Sequence, residues 1–161
     1  MIIGIDPGAK GGIGLIDNQG RLDSAWSMPP KSELYSFLEK IIDTYHATSQ
    51  AGFYCCIEKS FPSHNQGITS IFNHGYNYGW YISTLSILNI ETVEVLPQVW
   101  KSAFKLSKDK QNSMDLCLKL WPESKSLIYG KKGGMLDGVA EALLIAEYGR
   151  QKLKLRLTGG I

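Results

Sequence analysis

The order of apolar segments along the chain is the feature that most restricts its fold. Three short apolar segments come first, at residues 1–5, 10–16 and 21–28, and glycine-containing turns separate them. We interpret these segments as three successive strands, because tight turns of this kind join neighbouring strands. Pro29 and Pro30 end this meander.

Helical and strand-like segments alternate in the rest of the chain. A helix over residues 32–45 is predicted by the spacing of its leucine, isoleucine and phenylalanine residues, after a serine that can cap the first turn. Further strands are predicted at residues 53–57 and 91–96, and further helices at 67–88, from Pro97 onward, at 110–120 and at 136–148, where Gly149 ends the last one. This order predicts an α/β fold with a mixed five-stranded sheet and helices on both faces.

Length and composition indicate one domain over residues 1–161. A chain of 161 residues that is 43% hydrophobic and 20% charged has enough apolar material for a single buried core. The basic tail from about residue 150 to 161 is interpreted as an edge strand or a mobile arm. No apolar run reaches the roughly 18 residues that span a bilayer, and Asp6 interrupts the first apolar run. We therefore expect no membrane segment and a cytoplasmic location.

The three cysteines do not indicate a metal or disulfide site. Cys55 and Cys56 are adjacent on a predicted strand, so their side chains point to opposite faces, and Cys117 lies in a predicted helix. We interpret them as reduced structural thiols.

Charge is distributed unevenly along the chain, although the net charge is only +2. Residues 1–96 carry five Lys/Arg and nine Asp/Glu, whereas residues 97–132 carry eight and three. Residues 133–148 are acidic, and the tail is basic. A basic surface beside an acidic site would suit a polyanion, although solvated lysine-rich helix faces give similar counts.

Two carboxylates end predicted buried strands. Asp6 ends the first strand, and Glu58 follows the apolar segment at residues 54–57. Burying a charge is costly unless a cation or hydrogen bonds compensate it. Because ligands gather at the strand ends of open α/β sheets, the two acids can meet at one point.

Two more acids lie in the last predicted helix. Asp137 and Glu141 are four residues apart, and therefore share one helix face. Carboxylates this close raise one another's pKa unless a cation separates them. Four converging carboxylates, with no His or Cys, favour Mg²⁺ or Mn²⁺. Two such ions can activate a water and stabilise the leaving oxygen in phosphodiester hydrolysis.

Each acid also has a purely structural interpretation. Asp6 can be a turn residue before Pro7, Glu58 can pair with Lys59, and Asp137 can be a helix N-cap. All three structural interpretations must be true at once if there is no metal site.

Lysines and aromatic residues provide candidate DNA contacts. Lys101, at the predicted start of a helix, gains nothing from the helix dipole there, so it either neutralises a phosphate or is a solvated lysine beside Trp100. The residues that could contact the phosphate backbone are Lys105, Lys108, Lys110, Lys131 and Lys132. Those that could contact or wedge between bases are Phe61, His64, Asn65, Gln66 and Phe72. For the aromatic residues, packing in the core is the favoured interpretation and base contact the alternative.

Gly75 and Gly79 stand four apart in the predicted helix over residues 67–88. They leave one face of that helix without side chains, so we expect another element to pack closely there. A two-fold interface is one candidate for that contact.

These motifs resemble a known family. The segments that carry the resemblance are residues 3–8 with Gly11 and Gly12, residues 57–59, residues 65–67 with Phe72, Gly75, Tyr78 and Gly79, then Pro97, Trp100, Lys101 and residues 108–110, and finally residues 137–138 and 140–146. Together they resemble the RuvC-type Holliday junction resolvases, in particular the small RuvC-like proteins of phages and prophages. The resemblance extends from residue 1 to about residue 149.

The resemblance implies a ribonuclease H-like fold, a homodimer, two divalent ions per active site and paired nicks across a four-way DNA junction. It makes Asp6, Glu58, Asp137 and Glu141 the metal-binding acids and Lys101 a supporting cation. It also implies a bacterial cytoplasm as the location, for a host or phage protein. The family often places its last two ligands three apart, as His and Asp, whereas here they are four apart. The resemblance therefore does not decide which of Asp137 and Glu141 binds the metal more directly.

Three other functions compete with junction resolution. Residues 4–8 also resemble the phosphate-binding hairpin of actin-like proteins and sugar kinases, but those proteins need two such domains to enclose ATP. A DNA-binding module that has lost cleavage would keep the fold. A nuclease of forks, flaps or other branched DNA would use the same acids.

Overall fold

The predicted strands form one sheet in the computed structural model, which describes residues 1–8, 10–46, 52–59 and 67–157. The strands in this part of the chain are β1 (Ile2–Asp6), β2 (Gly12–Ile16), β3 (Leu22–Ser27), β4 (Tyr54–Glu58) and β5 (Glu91–Val95). The helices are α1 (Lys31–His46), α2 (Ile68–Ile87), α3 (Pro97–Ala103), α4 (Lys110–Leu120), α5 (Lys125–Ile128) and α6 (Asp137–Leu157), with a short 3₁₀ helix at Pro122–Ser124.

The sheet is mixed and has the strand order β3-β2-β1-β4-β5. The first three strands pair antiparallel, as their tight turns predict, and β4 and β5 add in parallel beside β1. Helices connect the parallel strands, because a parallel pair needs a crossover connection. The predicted α/β class and the mixed five-stranded sheet are confirmed.

Each face of the sheet has its own apolar core. On one face, Ile3, Ile5 and Cys55 pack with residues of α1 and α2. On the other face, Ile2 and Cys56 pack with residues of α4 and α6. The helices therefore cover both faces, as predicted, and the three free cysteines are buried structural residues.

Helix α6 lies unusually close to β1 and β2. A Cβ atom on Gly4 would stand 2.0 Å from the carbonyl oxygen of Ala142 and 2.3 Å from the nitrogen of Ala146. At Gly138, the same atom would stand 2.2 Å from the carbonyl oxygen of Lys10. Backbone cannot give way at such distances, so glycine at both positions sets the height of α6 above the sheet.

The C-terminal part of α6 corrects two predictions. The helix does not end at Gly149 but continues to Leu157, so the tail over residues 151–157 is neither an edge strand nor a mobile arm. Gly149 is not a helix cap: a Cβ there would lie 2.6 Å from Cβ of Cys56. Its role is close packing of α6 against β4.

Helix α3 corrects a third prediction. It is only seven residues long, so Lys101 lies in its last turn rather than at its start. A cation is favourable near a helix C-terminus, so the prediction that Lys101 gains nothing from the helix dipole is wrong. No helix in the described ranges has an apolar stretch long enough to cross a membrane.

Candidate active site

The parallel pairing of β1 and β4 brings Asp6 and Glu58 to the same edge of the sheet. Ile5 pairs with Ile57, and the two acids are the next residues on their strands. Their strands are buried up to these positions, and both acids are half-buried. The edge is the one to which the carboxyl ends of the parallel strands point.

The first turns of α6 bring two more acids to this edge. Asp137 is the first residue of the helix, and Gly138 forms an isolated bridge with Gly11, at the start of β2. Glu141 lies one turn further on, with its side chain 12% exposed. Asp6 is influenced by the charges of both Asp137 and Glu141, and Glu58 by those of Asp6 and Glu141. Asp6 therefore lies within electrostatic range of Glu58, Asp137 and Glu141. These four residues are called the acidic cluster.

The structural interpretations of the acids are only partly supported. Asp6 is a turn residue in one respect, since its Oδ1 accepts a hydrogen bond from the Gly8 nitrogen at 3.0 Å. Lys59 pairs with Glu94, at 3.3 Å, rather than with Glu58. The backbone nitrogens of Val139 and Ala140 donate to the carbonyl of Leu136, so the residue before Asp137 stands at the N-cap.

Two lysines pair with the acids of α6. The Lys101 Nζ lies 2.8 Å from Oε1 of Glu141, which also accepts a hydrogen bond from the Ser113 hydroxyl at 3.2 Å. The Lys110 Nζ pairs with Oδ2 of Asp137. This ion pair raises the pKa of Lys110. Lys110, predicted as a contact to the DNA backbone, thus lies at the acidic cluster itself.

Burial dominates the electrostatics of the two strand-end acids. It raises the pKa of Asp6 to about 6, and the neighbouring Glu141 and Asp137 charges add to this, while the Gly8 hydrogen bond and Lys101 oppose it. Burial likewise raises the pKa of Glu58 to about 7, with further contributions from Asp6 and Glu141. A hydrogen bond from Trp100 and the charge of Lys101 act in the opposite direction.

A cleft of about 180 Å³ opens beside the two strand-end acids. Asp6 and Glu58 form one side of it, and His74, Asn77 and Tyr78 of α2 form the other. The sequence analysis did not select His74 or Asn77 as site residues. Their spacing from Tyr78 and the buried Tyr81 on one face of α2 was the available signal.

The donor set fits hard divalent cations. It consists of carboxylate oxygens alone, which Mg²⁺ and Mn²⁺ prefer, and burial and mutual repulsion oppose its negative charge. Within the described ranges, no three acidic, histidine or cysteine side chains already surround one point. Instead, the ammonium groups of Lys101 and Lys110 bind the carboxylates of Glu141 and Asp137. A divalent cation would use the same oxygens.

A basic groove runs alongside the acidic cluster. Lys101, Lys105 and Lys108 line it, with Gln98 and Ser102 between them. Lys105 holds a left-handed backbone conformation, with φ 55°, just after α3. Its nitrogen donates to the Ser102 carbonyl at 3.0 Å, which fixes the turn.

Lys131 and Lys132 are exposed in a tight turn between Tyr129 and Met135, which form a β-bridge. The turn precedes Asp137 directly in sequence. These two lysines therefore lie within a few residues of an acid of the cluster.

The predicted base-contacting residues are only partly described. Phe61, His64, Asn65 and Gln66 lie outside the described residues. Phe72 lies in the first turns of α2 and is 71% exposed. The favoured interpretation of Phe72 as a core residue is therefore wrong.

Helix α2 exposes a stripe of apolar side chains. A Cβ on Gly75 or Gly79 would meet no atom of the described chain within 4 Å, so the expected close packing does not occur within this part of the protein. Beside the two glycines the helix exposes large side chains at intervals of four or seven residues. This set, the α2 stripe, consists of Ile68, Phe72, Tyr76, Trp80 and Ile87.

Comparison with known proteins shows similarity to solved structures but not to any known sequence family. No family model matches the sequence, and no curated protein matches it. Among solved structures, RuvC of Thermus thermophilus is similar, with 17% identity and a TM-score of 0.55 over 99% of this chain and 98% of that one. The structure of T. thermophilus RuvC in complex with a Holliday junction substrate is similar over 98% of this chain and 95% of that one, with 14% identity and a TM-score of 0.54.

Proposed function

From the premise that this chain has the ribonuclease H-like fold of RuvC, we propose that it is a metal-dependent endonuclease that cuts branched DNA, chiefly four-way junctions. The observation that carries the proposal is the meeting of Asp6, Glu58, Asp137 and Glu141 at one edge of the sheet, beside a basic groove. Fold alone does not establish an activity. The acids and lysines supply the chemical argument.

In this proposal, Asp6, Glu58, Asp137 and Glu141 hold two Mg²⁺ or Mn²⁺ ions. Such ions, when bound, provide an activated water and stabilise charge on the leaving oxygen. The chain itself positions the four acids. The buried ends of β1 and β4 fix the first two acids, and the close packing of α6 fixes the other two.

Lys101 and Lys110 have two roles in turn. They compensate Glu141 and Asp137 in the structure described. A divalent cation held by the same oxygens would leave both ammonium groups available to a phosphate. Lys101 would then neutralise charge that develops on the scissile phosphate.

The basic groove and the Lys131–Lys132 turn position DNA without reading sequence. Phosphate contacts fix register and orientation, and they depend strongly on salt. Lys105, Lys108, Lys131 and Lys132 are all exposed and available for such contacts. Phe72, exposed on the α2 stripe, is either a base contact or part of an interface with a second chain.

The α2 stripe supports the homodimer. Large apolar side chains in one exposed row mark an interaction surface, and the glycines beside them allow close approach of a partner helix. A two-fold axis would relate two active sites and match the symmetry of a four-way junction. We assign the activity to a single nuclease domain over residues 1–161, acting in a bacterial cytoplasm as a host or phage protein.

One gel assay tests the proposal and its rivals. Labelled four-way, forked and linear duplex DNA are incubated with the protein, with Mg²⁺, with Mn²⁺ or with chelator. We expect paired nicks in the four-way junction that require the metal. Equal cutting of forks would broaden the substrate class. Junction binding that never leads to cleavage would indicate a non-cleaving module, and saturable ATP binding without DNA cleavage would indicate the actin-like alternative.

The matched variant is Asp6→Asn. It removes a metal-binding oxygen but no phosphate contact, so we expect cleavage in the presence of metal to be lost, while junction binding measured in chelator stays close to that of the wild type. Asp43→Asn, on the exposed side of α1, serves as the control. Wild-type cleavage by Asp6→Asn would refute the assignment of the site.

A further inference from the structure

Trp100 contacts two charged residues of the candidate site although it carries no charge itself. Its side chain is 0% exposed, and its Nε1–H donates to Oε2 of Glu58 at 2.7 Å. The Nζ of the next residue, Lys101, lies 5.1 Å from the centre of the Trp100 ring. One indole thus touches an acid of β4 through its edge and a cation of α3 through its face.

These contacts form part of a longer connection. Lys101 also bonds to Glu141, and Ser113 of α4 donates to the same Oε1 atom. The side chains therefore connect β4, α3, α6 and α4 in that order. Two acids from distant parts of the chain are held by residues of a single seven-residue helix.

A buried indole N–H requires an acceptor, but not a carboxylate. Trp121 illustrates the ordinary solution: it is 4% exposed, and its Nε1–H donates to the carbonyl oxygen of Gly20 at 2.8 Å. Trp100 donates instead to an acid that ends a buried strand. A hydrogen bond to a charged acceptor is stronger than one to a neutral acceptor, and it fixes the carboxylate rotamer.

We propose that Trp100 is a positioning residue that orients the carboxylate of Glu58, through its indole N–H, and the ammonium group of Lys101, through its ring. This inference rests on the proposed function. Because one lone pair of Oε2 is used by the indole, the rotation of the carboxylate is restricted. The remaining lone pairs of Glu58 then face the cleft in a fixed direction for a divalent cation.

A first test needs no metal. Removing the negative charge beside an indole shifts its emission, so Glu58→Gln should shift the tryptophan fluorescence of the chelator-treated protein. The same substitution should leave the emission unchanged in a Trp100→Phe background and shift it in a Trp121→Phe background. A shift that persists in the Trp100→Phe background would show that the contact is absent, whatever the activity of the protein.

The second test measures Mn²⁺ binding by titration calorimetry. Residues that orient metal ligands typically contribute 10- to 100-fold to affinity, so we expect Trp100→Phe to weaken Mn²⁺ binding by about tenfold or more. Trp121→Phe removes the same group from a site remote from the acids and should leave the affinity unchanged. In a Glu58→Gln background, Trp100→Phe should cause no further loss, because the acid that it orients is gone.

A shape-preserving substitution separates positioning from packing. Incorporating 3-benzothienylalanine at position 100 keeps the bicyclic ring and replaces the N–H by sulfur. We expect this variant to lose Mn²⁺ affinity although it unfolds at the wild-type temperature. Wild-type affinity in the folded variant would overturn the proposal for Glu58. A wild-type protein that binds no Mn²⁺ would instead refute the proposed function, while the fluorescence test of the contact would still stand.

Discussion

At the scale of single residues, the pKa values of the two strand-end acids depend on the free-energy cost of placing a charge in buried surroundings. Asp6 and Glu58 end strands whose other residues are buried, and burial is the largest cause of their raised pKa values. The sequence carried this information directly, because each acid directly follows apolar residues. The position of these two acids at the ends of buried strands could therefore be predicted without a structure.

The raised pKa of Asp6 predicts how pH affects stability in chelator. Between its ordinary value of 3.8 and its folded value of about 6, the folded state keeps a proton that the unfolded state has lost. The contribution of Asp6 to stability therefore declines as pH rises through this range and stays unfavourable above it. Asp6→Asn should raise the free energy of unfolding at pH 8 by about 3 kcal/mol, with little change near pH 4.

Urea denaturation at the two pH values, in chelator, measures this effect. Asp43→Asn, whose carboxylate is exposed, provides the reference. A lower stability of Asp6→Asn at pH 8 would mean that the hydrogen bond from Gly8 outweighs burial. Divalent cations should cancel the advantage of the variant, because only the wild-type carboxylate binds them.

Lys101 is expected to act on rate rather than on products. Lys101→Ala should slow a single-turnover nick by roughly 10- to 100-fold, since removal of a group that stabilises developing charge has effects of this order or larger. The cleavage position should not move. Lys119→Ala, in the last turn of α4, is the control. An unchanged single-turnover rate would make Lys101 only a counter-ion of Glu141.

The residues that sequence analysis missed all act through tertiary contacts. Trp100 reaches Glu58 across 42 positions of the chain, and Ser113 reaches Glu141 across 28. Neither residue interrupts an apolar pattern, which was the signal that revealed the acids. His74 and Asn77 face the cleft only because α2 packs beside β4.

At the scale of elements, periodicity was a dependable guide within the described residues. The bounds of α4 agree with the prediction, and those of α1, α2 and the strands differ by a few residues. The end of α6 was mispredicted because glycine has two structural uses. Sequence cannot distinguish a helix cap from a close approach, and Gly149 is the latter.

Substitution of two glycines by alanine should have opposite effects on stability, because Gly4 contacts the backbone of α6 and Gly75 faces open space. Gly4→Ala places a methyl group 2.0 Å from backbone, so we expect a loss of about 3 kcal/mol or more and displacement of Asp137 and Glu141. Gly75→Ala meets open space in the middle of α2 and should stabilise a monomer by about 0.5–1 kcal/mol. Chemical denaturation measures both. Equal stability of Gly4→Ala and the wild type would show that α6 can lift off the sheet.

At the scale of the whole molecule, the described surface has separate charged and apolar regions. The basic groove and the acidic cluster lie together, and the α2 stripe forms a separate apolar region. Regional charge was visible in the sequence. The exposure of the α2 stripe could not be predicted from the sequence, because its apolar spacing is equally typical of a helix face buried in a core. Only the glycine pair indicated a close contact.

A charge in the α2 stripe should separate the proposed dimer. Trp80→Glu places a carboxylate where the side chain is 42% exposed, and Leu120→Glu on α4 does the same where it is 43% exposed. We expect Trp80→Glu to sediment as a monomer with wild-type circular dichroism, and Leu120→Glu to remain dimeric. If the wild-type protein were monomeric at all concentrations, the α2 stripe would not be a dimer interface.

The pairing of Lys101 with Glu141 and of Lys110 with Asp137 has a consequence for the order of assembly with DNA. With all four acids ionised, two ammonium groups leave the cluster with two surplus negative charges, which repel a phosphodiester. Two divalent ions would reverse that sign and make the same spot attractive. Under the proposed function, metal and nucleic acid would then strengthen each other's binding by thermodynamic linkage, so the protein without metal would hold DNA only by the outlying lysines.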